Sequence, residues 1–277
     1  MENVLPIGIV KDGKWFRKFD LMDIDESLER VIHNTKLVQN HPQLWIKQVV
    51  AGLLDKIEGE SIGWETRDDN FKKIPKIVDS IPLADAGYIM VAGHINEFGE
   101  QLENVEQKCM NCGKKFVADI DLSKLDKEYA ESPIETFVVN LQKGFVRKSD
   151  KVKDKLGFED IPFNRYTFRV PTIADGIKYE ELYSEVTRLD FNMSIIKNCL
   201  MNVEAVDDSG SAIEMEKKYR EMYNTLLIRD LKGVDRTMIR KAFNELPSIT
   251  MKYDSICPKC GEDTSIFADP SSFFPIG

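Results

Sequence analysis

Two short stretches of this chain carry residues whose type and spacing suit chemistry: Cys109-Met110-Asn111-Cys112-Gly113 and Cys257-Pro258-Lys259-Cys260-Gly261. Each is a Cys-x-x-Cys turn followed by glycine. Together they supply four thiolates, the number a closed tetrahedral structural zinc takes. In such a turn two sulfurs converge on one ion with backbone amides directed at them. The residue after the second cysteine then often takes a positive φ, which glycine adopts at least cost. The spacing therefore assigns Cys109, Cys112, Cys257 and Cys260 to one metal site. Zinc is the expected metal, and a rubredoxin-like mononuclear iron is the alternative. Four thiolates leave no open coordination position, which argues for a fastener over a metal catalyst.

The two halves stand far apart, whereas a compact zinc ribbon joins its halves with far fewer residues. Loop closure nevertheless grows only with the logarithm of length, about 0.6 kcal/mol per doubling. A structural zinc in zinc-finger peptides supplies roughly 10 kcal/mol or more. The chain from Gly113 to Ile256 is thus expected to be an insertion clamped at its base.

Composition narrows the function. The chain has 277 residues, 42% of them hydrophobic, enough to bury a sizeable core. A net charge of -9 and a pI near 5.1 argue against general affinity for nucleic-acid phosphate. The one lysine and arginine cluster, residues 147–155, is interleaved with acids and reads as a solvated loop. Four of the five cysteines sit in the paired turns, which suits a reducing compartment, and Cys199 reads as a small buried apolar residue. Neither a signal peptide nor a membrane-spanning apolar run is expected, so the sequence suggests a soluble cytoplasmic product without a membrane partner. No Gly-rich phosphate loop, His-Glu-x-x-His helix or paired carboxylates stand at a motif spacing. His94 reads as a capping or core residue, and Asp208-Ser209-Gly210 lacks the glycine and partners of a serine nucleophile. The expectation is a non-enzyme with no small-molecule substrate.

Residues Val4 to Val10 and Trp15 to Phe19 flank a Lys-Asp-Gly-Lys turn and predict a hairpin. Asp23 or Asp25 is expected to cap a helix through Leu28, Val31, Ile32 and, more weakly, Thr35 and Val38. A second helix starts at Pro42, carries Trp45 as a core residue and ends at Gly59, and a third is entered at Pro82. Gln101–Leu122 reads as a hairpin around the first Cys-x-x-Cys turn. Beyond it come a strand over Pro133–Phe145, turning at Lys143-Gly144, and another over Phe158–Val170. A long helix then carries Leu182, Val186, Leu189, Met193, Ile196 and Leu200. Residues 202–210 read as an acidic turn, Ala212–Ile228 as a helix, and Arg236–Asn244 as another capped by Asp235. A strand over Ser248–Ser255 then leads to the second turn. The expected class is α+β: a helical N-terminal part, split four-cysteine zinc-ribbon-like hairpins, and a large inserted β-then-α domain. Expected boundaries are 1–100 for the arm and helical region, 101–122 plus 248–277 for the ribbon-like module and tail, and 123–247 for the insertion.

Three runs bear a family resemblance: Ile228 through Arg240 with Leu246-Pro247, the turn Cys257 to Gly261, and the ending Asp269-Pro270-Ser271-Ser272-Phe273-Phe274-Pro275. They resemble the C-terminal half of baseplate hub and tail-assembly proteins of T4-like contractile-tailed phages. Pro82 to Tyr88, leading into Cys109 to Gly113, is similar to the middle segment of that family. The resemblance covers about residues 80–122 and 160–277. It implies a non-enzymatic virion component, assembled in a bacterial host cytoplasm, located in the tail baseplate and partnered by other baseplate or tail proteins. Phe273 and Phe274 have two destinations, a fold back onto this chain or docking into a partner, and they are the candidate partner-binding residues. A zinc-ribbon nucleic-acid-binding regulator is the alternative reading. Lys114-Lys115 beside the first turn favours it and the acidic pI opposes it.

Overall fold

A computed structural model of the chain describes residues 2–62, 73–145, 162–182, 188–207, 209–268 and 273–274. The fold is mixed α+β with antiparallel sheets. Packing divides it into two compact units, Met1–Pro133 with Thr172–Glu180 and Pro247–Gly277, and Ile134–Pro171 with Glu181–Leu246.

In the first unit β1 (Val4–Lys11) and β2 (Lys14–Leu21) form the expected hairpin. Its two-residue turn, Asp12-Gly13, has φ of 52° and 72°, the left-handed pair that matches strand twist. Asp25 caps α1 (Glu26–Ile32) by accepting from the amides of Ser27 and Leu28 at 3.0 and 2.9 Å. The single helix expected here is in fact two. Asn34 Oδ1 accepts from the Leu37 amide at 3.1 Å and restarts the chain as α2 (Thr35–Asn40). The helix α3 (Pro42–Leu53) begins at proline as expected, and buried Trp45 donates its indole N–H toward the Val31 and Ile32 carbonyls at 3.2 and 3.3 Å. It ends well before Gly59. Leu54–Ile57 leaves as β3, which pairs with β2 and places Ile57 opposite Phe19, and β4 (Glu60–Ser61) completes the sheet in the order β1-β2-β3-β4. The open edge of β2 thus outweighs an apolar spacing that suits a continued helix.

After α4 (Lys76–Asp79), the helix α5 (Leu83–Phe98) lies against β1 and α3. Its third residue, Asp85, is fully buried, and its two oxygens accept from the Ile7 and Gly8 amides at 2.9 and 2.7 Å. Those amides converge because β1 bulges at Gly8, whose φ is +81°. The chain then forms a separate two-stranded sheet, β5 (Gln101–Lys108) and β6 (Lys115–Asp121), the hairpin expected around the first Cys-x-x-Cys turn.

In the second unit β7 (Thr136–Phe145), β8 (Phe163–Arg169), β9 (Leu200–Val206) and β10 (Ala212–Glu214) form an antiparallel sheet in the order β10-β9-β8-β7. The chain does not reverse at Lys143-Gly144. It bulges there, and Gly144 at φ +65° lets β7 approach the backbone of Phe163. Where one long helix is expected, the described residues hold α6 (Ile173–Leu182), most of which belongs to the first unit, and α7 (Arg188–Cys199); Val186 lies outside the described residues and Leu200 opens β9. The acidic turn expected at 202–210 is mostly β9, because Val203 and Ala205 are buried while their neighbours are partly exposed, a period of two. Ala212–Glu214 is likewise strand, and α8 (Lys217–Arg229) starts only after it. Asp235 is not the cap of α9 (Gly233–Asn244) but its third residue. It is buried, and its Oδ1 accepts from the Gln142 and Lys143 amides of the β7 bulge at 2.9 and 3.2 Å. Phe137, Phe168 and Phe243 pack by ring contacts at 5.0 to 5.8 Å and fill the space between β7, β8 and α9.

The same device occurs in each unit. Asp85 and Asp235 each occupy the third position of a helix, where the unpaired amide end of the helix favours negative charge. Each also ties two consecutive amides of a bulged strand to that helix.

Candidate metal centre

The strands β11 (Lys252–Ile256) and β12 (Asp263–Phe267) form a second hairpin around the second Cys-x-x-Cys turn. The strand is shorter than the expected Ser248–Ser255. Residues 248–250 instead pair with the segment 126–128, through Glu128 N to Ser248 O at 2.9 Å and Thr250 N to Asp126 O at 2.8 Å.

The two turns are built alike. Cys109 N donates to Lys114 O at 3.0 Å and Gly113 N donates to Cys109 O at 3.0 Å. In the second turn Cys257 N donates to Glu262 O and Gly261 N to Cys257 O, both at 2.9 Å. Gly113 and Gly261 have φ of 69° and 75°, the left-handed conformation that the sequence argument required of them. The amides of Asn111 and Cys112 point at Cys109 Sγ at 3.4 and 3.5 Å, and that of Lys259 at Cys257 Sγ at 3.4 Å.

Side-chain amides join the hairpins. Gln107 donates through Nε2 to Phe267 O at 3.1 Å and accepts through Oε1 from Phe267 N at 3.2 Å, so its carboxamide substitutes for a strand neighbour of β12. Asn111 Nδ2 donates to Asp263 O at 2.8 Å. Sequence reasoning missed both residues. Their only signal was an amide side chain in or beside the first turn.

This framework brings Cys109, Cys112, Cys257 and Cys260 together with all four Sγ atoms within 4.8 Å of one another. Across the two turns, Cys109 Sγ lies 3.8 Å from Cys260 Sγ and Cys112 Sγ lies 3.9 Å from Cys257 Sγ. A disulfide would need about 2.05 Å. Zinc–sulfur bonds of about 2.3 Å in a tetrahedron place sulfurs roughly 3.8 Å apart. The donor set therefore fits one four-coordinate soft cation. Cys109 and Cys257 are buried, whereas Cys112 and Cys260 reach the surface.

Electrostatics gives the same picture. The Cys112 amide outweighs burial and, with the Asn111 amide, holds the Cys109 thiol down to about 6. The Glu262 amide pulls Cys260 downward, but burial and the three neighbouring sulfurs push it up to about 12. The neighbouring sulfurs thus push Cys109 down and Cys260 up. A dication held among them would favour the thiolate form of each ligand.

The remaining candidates lie elsewhere. Phe273 and Phe274 are buried in the core of the first unit, 0% and 2% exposed, so of the two destinations read for these rings the structure has the fold back onto this chain. His94, also buried, has Nδ1 hydrogen-bonded to the Phe273 carbonyl, with the rings of Phe98 and Phe274 beside it. The histidine thus anchors the C-terminal pair. Ser209 bonds through Oγ to Asp207 at 2.7 Å within a turn, and Asp208 lies outside the described residues, as do Arg147–Lys155 and the 269–272 part of the tail motif. Among the described residues no helix is long and apolar enough to cross a membrane.

Fold and site together define a mixed α+β protein whose two hairpins meet at a four-cysteine cluster. A family profile described as T4 bacteriophage base plate protein matches residues 65–275, and the chain belongs to that family. No curated protein and no solved structure matches it.

Proposed function

We propose that this chain is a structural, non-catalytic component of a contractile-tail baseplate. In this reading it is assembled in the host cytoplasm, resides in the virion tail and makes contacts with other baseplate or tail proteins. Family membership over residues 65–275 supports the baseplate role. The convergence of four sulfurs within 4.8 Å carries the rest of the proposal, a structural zinc bound by Cys109, Cys112, Cys257 and Cys260. When bound, zinc supplies a rigid four-way crosslink with no open position for chemistry. The residues of this chain do the remaining work. Gln107 and Asn111 hold the hairpins in register, the turn amides face the sulfurs, and Gly113 and Gly261 let each turn close. The crosslink then fastens the root of the chain between the two turns, with the inserted domain expected over residues 123–247. Because Phe273 and Phe274 are covered within the chain, partner contacts are assigned to surfaces other than those rings.

The test is fractionation of infected cells carrying a tagged chain. It is expected to co-sediment with baseplate or tail particles. A chain that stays in the free protein pool at the end of infection contradicts the assignment, and salt-sensitive DNA or RNA binding would favour the regulator instead.

A further inference from the structure

We propose that the four-cysteine cluster is also a site of oxidative modification, at which a peroxide closes two disulfides between the hairpins, one joining Cys109 to Cys260 and one joining Cys112 to Cys257. This rests on the reading of the cluster as a metal fastener and names a second covalent state of the same site. A component assembled in a reducing cytoplasm and carried out in a particle meets both redox conditions. Outside the cell a clasp made of thiolates and a metal is exposed to oxidants, and accessible thiolates are their first target. The fold allows such a clasp to become covalent. Gln107 pairs with both main-chain groups of Phe267 and Asn111 holds the Asp263 carbonyl, so bonds that involve no sulfur keep the two turns face to face. Met110 N adds a donation to Thr264 Oγ1 at 3.4 Å. All of these residues belong to the first unit.

Within that frame Cys109 Sγ lies 3.8 Å from Cys260 Sγ and Cys112 Sγ lies 3.9 Å from Cys257 Sγ, two contacts that use each sulfur once. Shortening either contact to the disulfide length of about 2.05 Å moves each sulfur by about 0.9 Å, within the reach of a side-chain rotation. Exposure divides the chemistry. Cys112 and Cys260 reach the surface while Cys109 and Cys257 are buried, so each cross-turn pair joins an accessible sulfur to a shielded one. Hydrogen peroxide oxidises the accessible thiolate to a sulfenic acid and is itself reduced to hydroxide. The shielded thiolate across the gap attacks that sulfur, forms the S–S bond and expels the second hydroxide. Four thiolates and two peroxides thus give two disulfides and four hydroxides, and the four-thiolate ligand set is consumed. A bond inside one turn also joins an accessible and a shielded sulfur, but it leaves the hairpins without a covalent link. The cross-turn bonds instead bridge separations of 151 and 145 residues, the long loops whose closure restrains an unfolded chain most, so thiol–disulfide exchange settles on them.

The test uses the full chain, with its metal content measured first. The sample is titrated with hydrogen peroxide under native conditions, remaining thiols are alkylated after unfolding, and disulfides are mapped by mass spectrometry of peptides. Two linked pairs are expected, Cys109 with Cys260 and Cys112 with Cys257, with Cys199 recovered as the alkylated thiol. Bound metal is expected to leave in step with the disulfides, and dithiothreitol is expected to restore all four thiols. Circular dichroism is expected to remain that of the reduced chain, and the oxidised chain is expected to unfold at higher urea than the reduced chain stripped of metal. Cys112→Ser is expected to leave Cys109 with Cys260 as the single linked pair. Disulfides inside the turns, links between separate chains, or sulfinic acids formed without disulfides overturn the proposal. The metal measurement separates the two readings. A chain that holds metal and oxidises inside its turns refutes this inference alone; a chain that holds none yet forms the cross-turn pairs refutes the metal reading alone.

Discussion

Replacing Asp85 by asparagine isolates a buried carboxylate that two backbone amides hold at the start of α5. Burial pushes this carboxyl up to about 7, and the Ile7 and Gly8 amides and the Arg17 charge offset only part of that penalty. A native value near 7 against an ordinary 3.8 means that the folded chain holds the proton more tightly, by about 4 kcal/mol. The sign follows. Between about pH 4 and pH 7 the folded state binds more protons than the unfolded state, so this group's contribution to stability declines as pH rises and is lost above about 7. Asparagine does not titrate. Its amide keeps one of the two acceptors and turns a donor toward the other backbone N–H, which costs roughly 1–3 kcal/mol for a buried unsatisfied group. Asp85→Asn is therefore expected to be clearly destabilising at pH 4.5, and the gap should shrink or reverse by pH 8. The assay is urea unfolding of both chains across that range. Both carry the same cysteine cluster, so its pH dependence cancels in the difference. Parallel stability profiles would refute the reasoning.

Three further substitutions probe the packing. Gly144→Ala places a side chain at φ +65° against the Phe163 backbone and is expected to destabilise the second unit by about 2–4 kcal/mol, read from chemical denaturation. Phe273→Ala empties a fully buried site and is expected to cost roughly 3–5 kcal/mol, with faster amide exchange around His94. Gln107→Ala removes both bonds to Phe267, for about 1–2 kcal/mol, and is expected to speed exchange in β12 without changing the metal content.

The chemistry at the two turns was the most legible part of the chain, because metal binding fixes residue type, spacing and the glycine conformation all at once. The N-terminal hairpin and the proline start of α3 were equally readable from local signals, Asp12-Gly13 and Pro42. What escaped depends on distant partners. Leu54–Ile57 continues an apolar helical spacing, yet β2 lies alongside and takes it as a strand. In β9 the alternation of Val203 and Ala205 with Asn202 and Glu204 is a strand pattern that the surrounding acidic residues obscured. Asp235 looked like a cap because its local sequence suits one. Its actual role, clasping the β7 bulge, depends on residues more than ninety positions away. Phe273 and Phe274 had no local signal to separate folding back from docking, and only their burial beside His94 decides between them.

The claim on which the rest depends is that one metal ion ties Cys109 and Cys112 to Cys257 and Cys260. Elemental analysis of the chain purified without added metal, alongside Cys257→Ser, tests it directly. One zinc per chain is expected, lost in the variant together with several kcal/mol of stability. A chain that holds neither zinc nor iron, or a Cys257→Ser variant as stable as its parent, contradicts it.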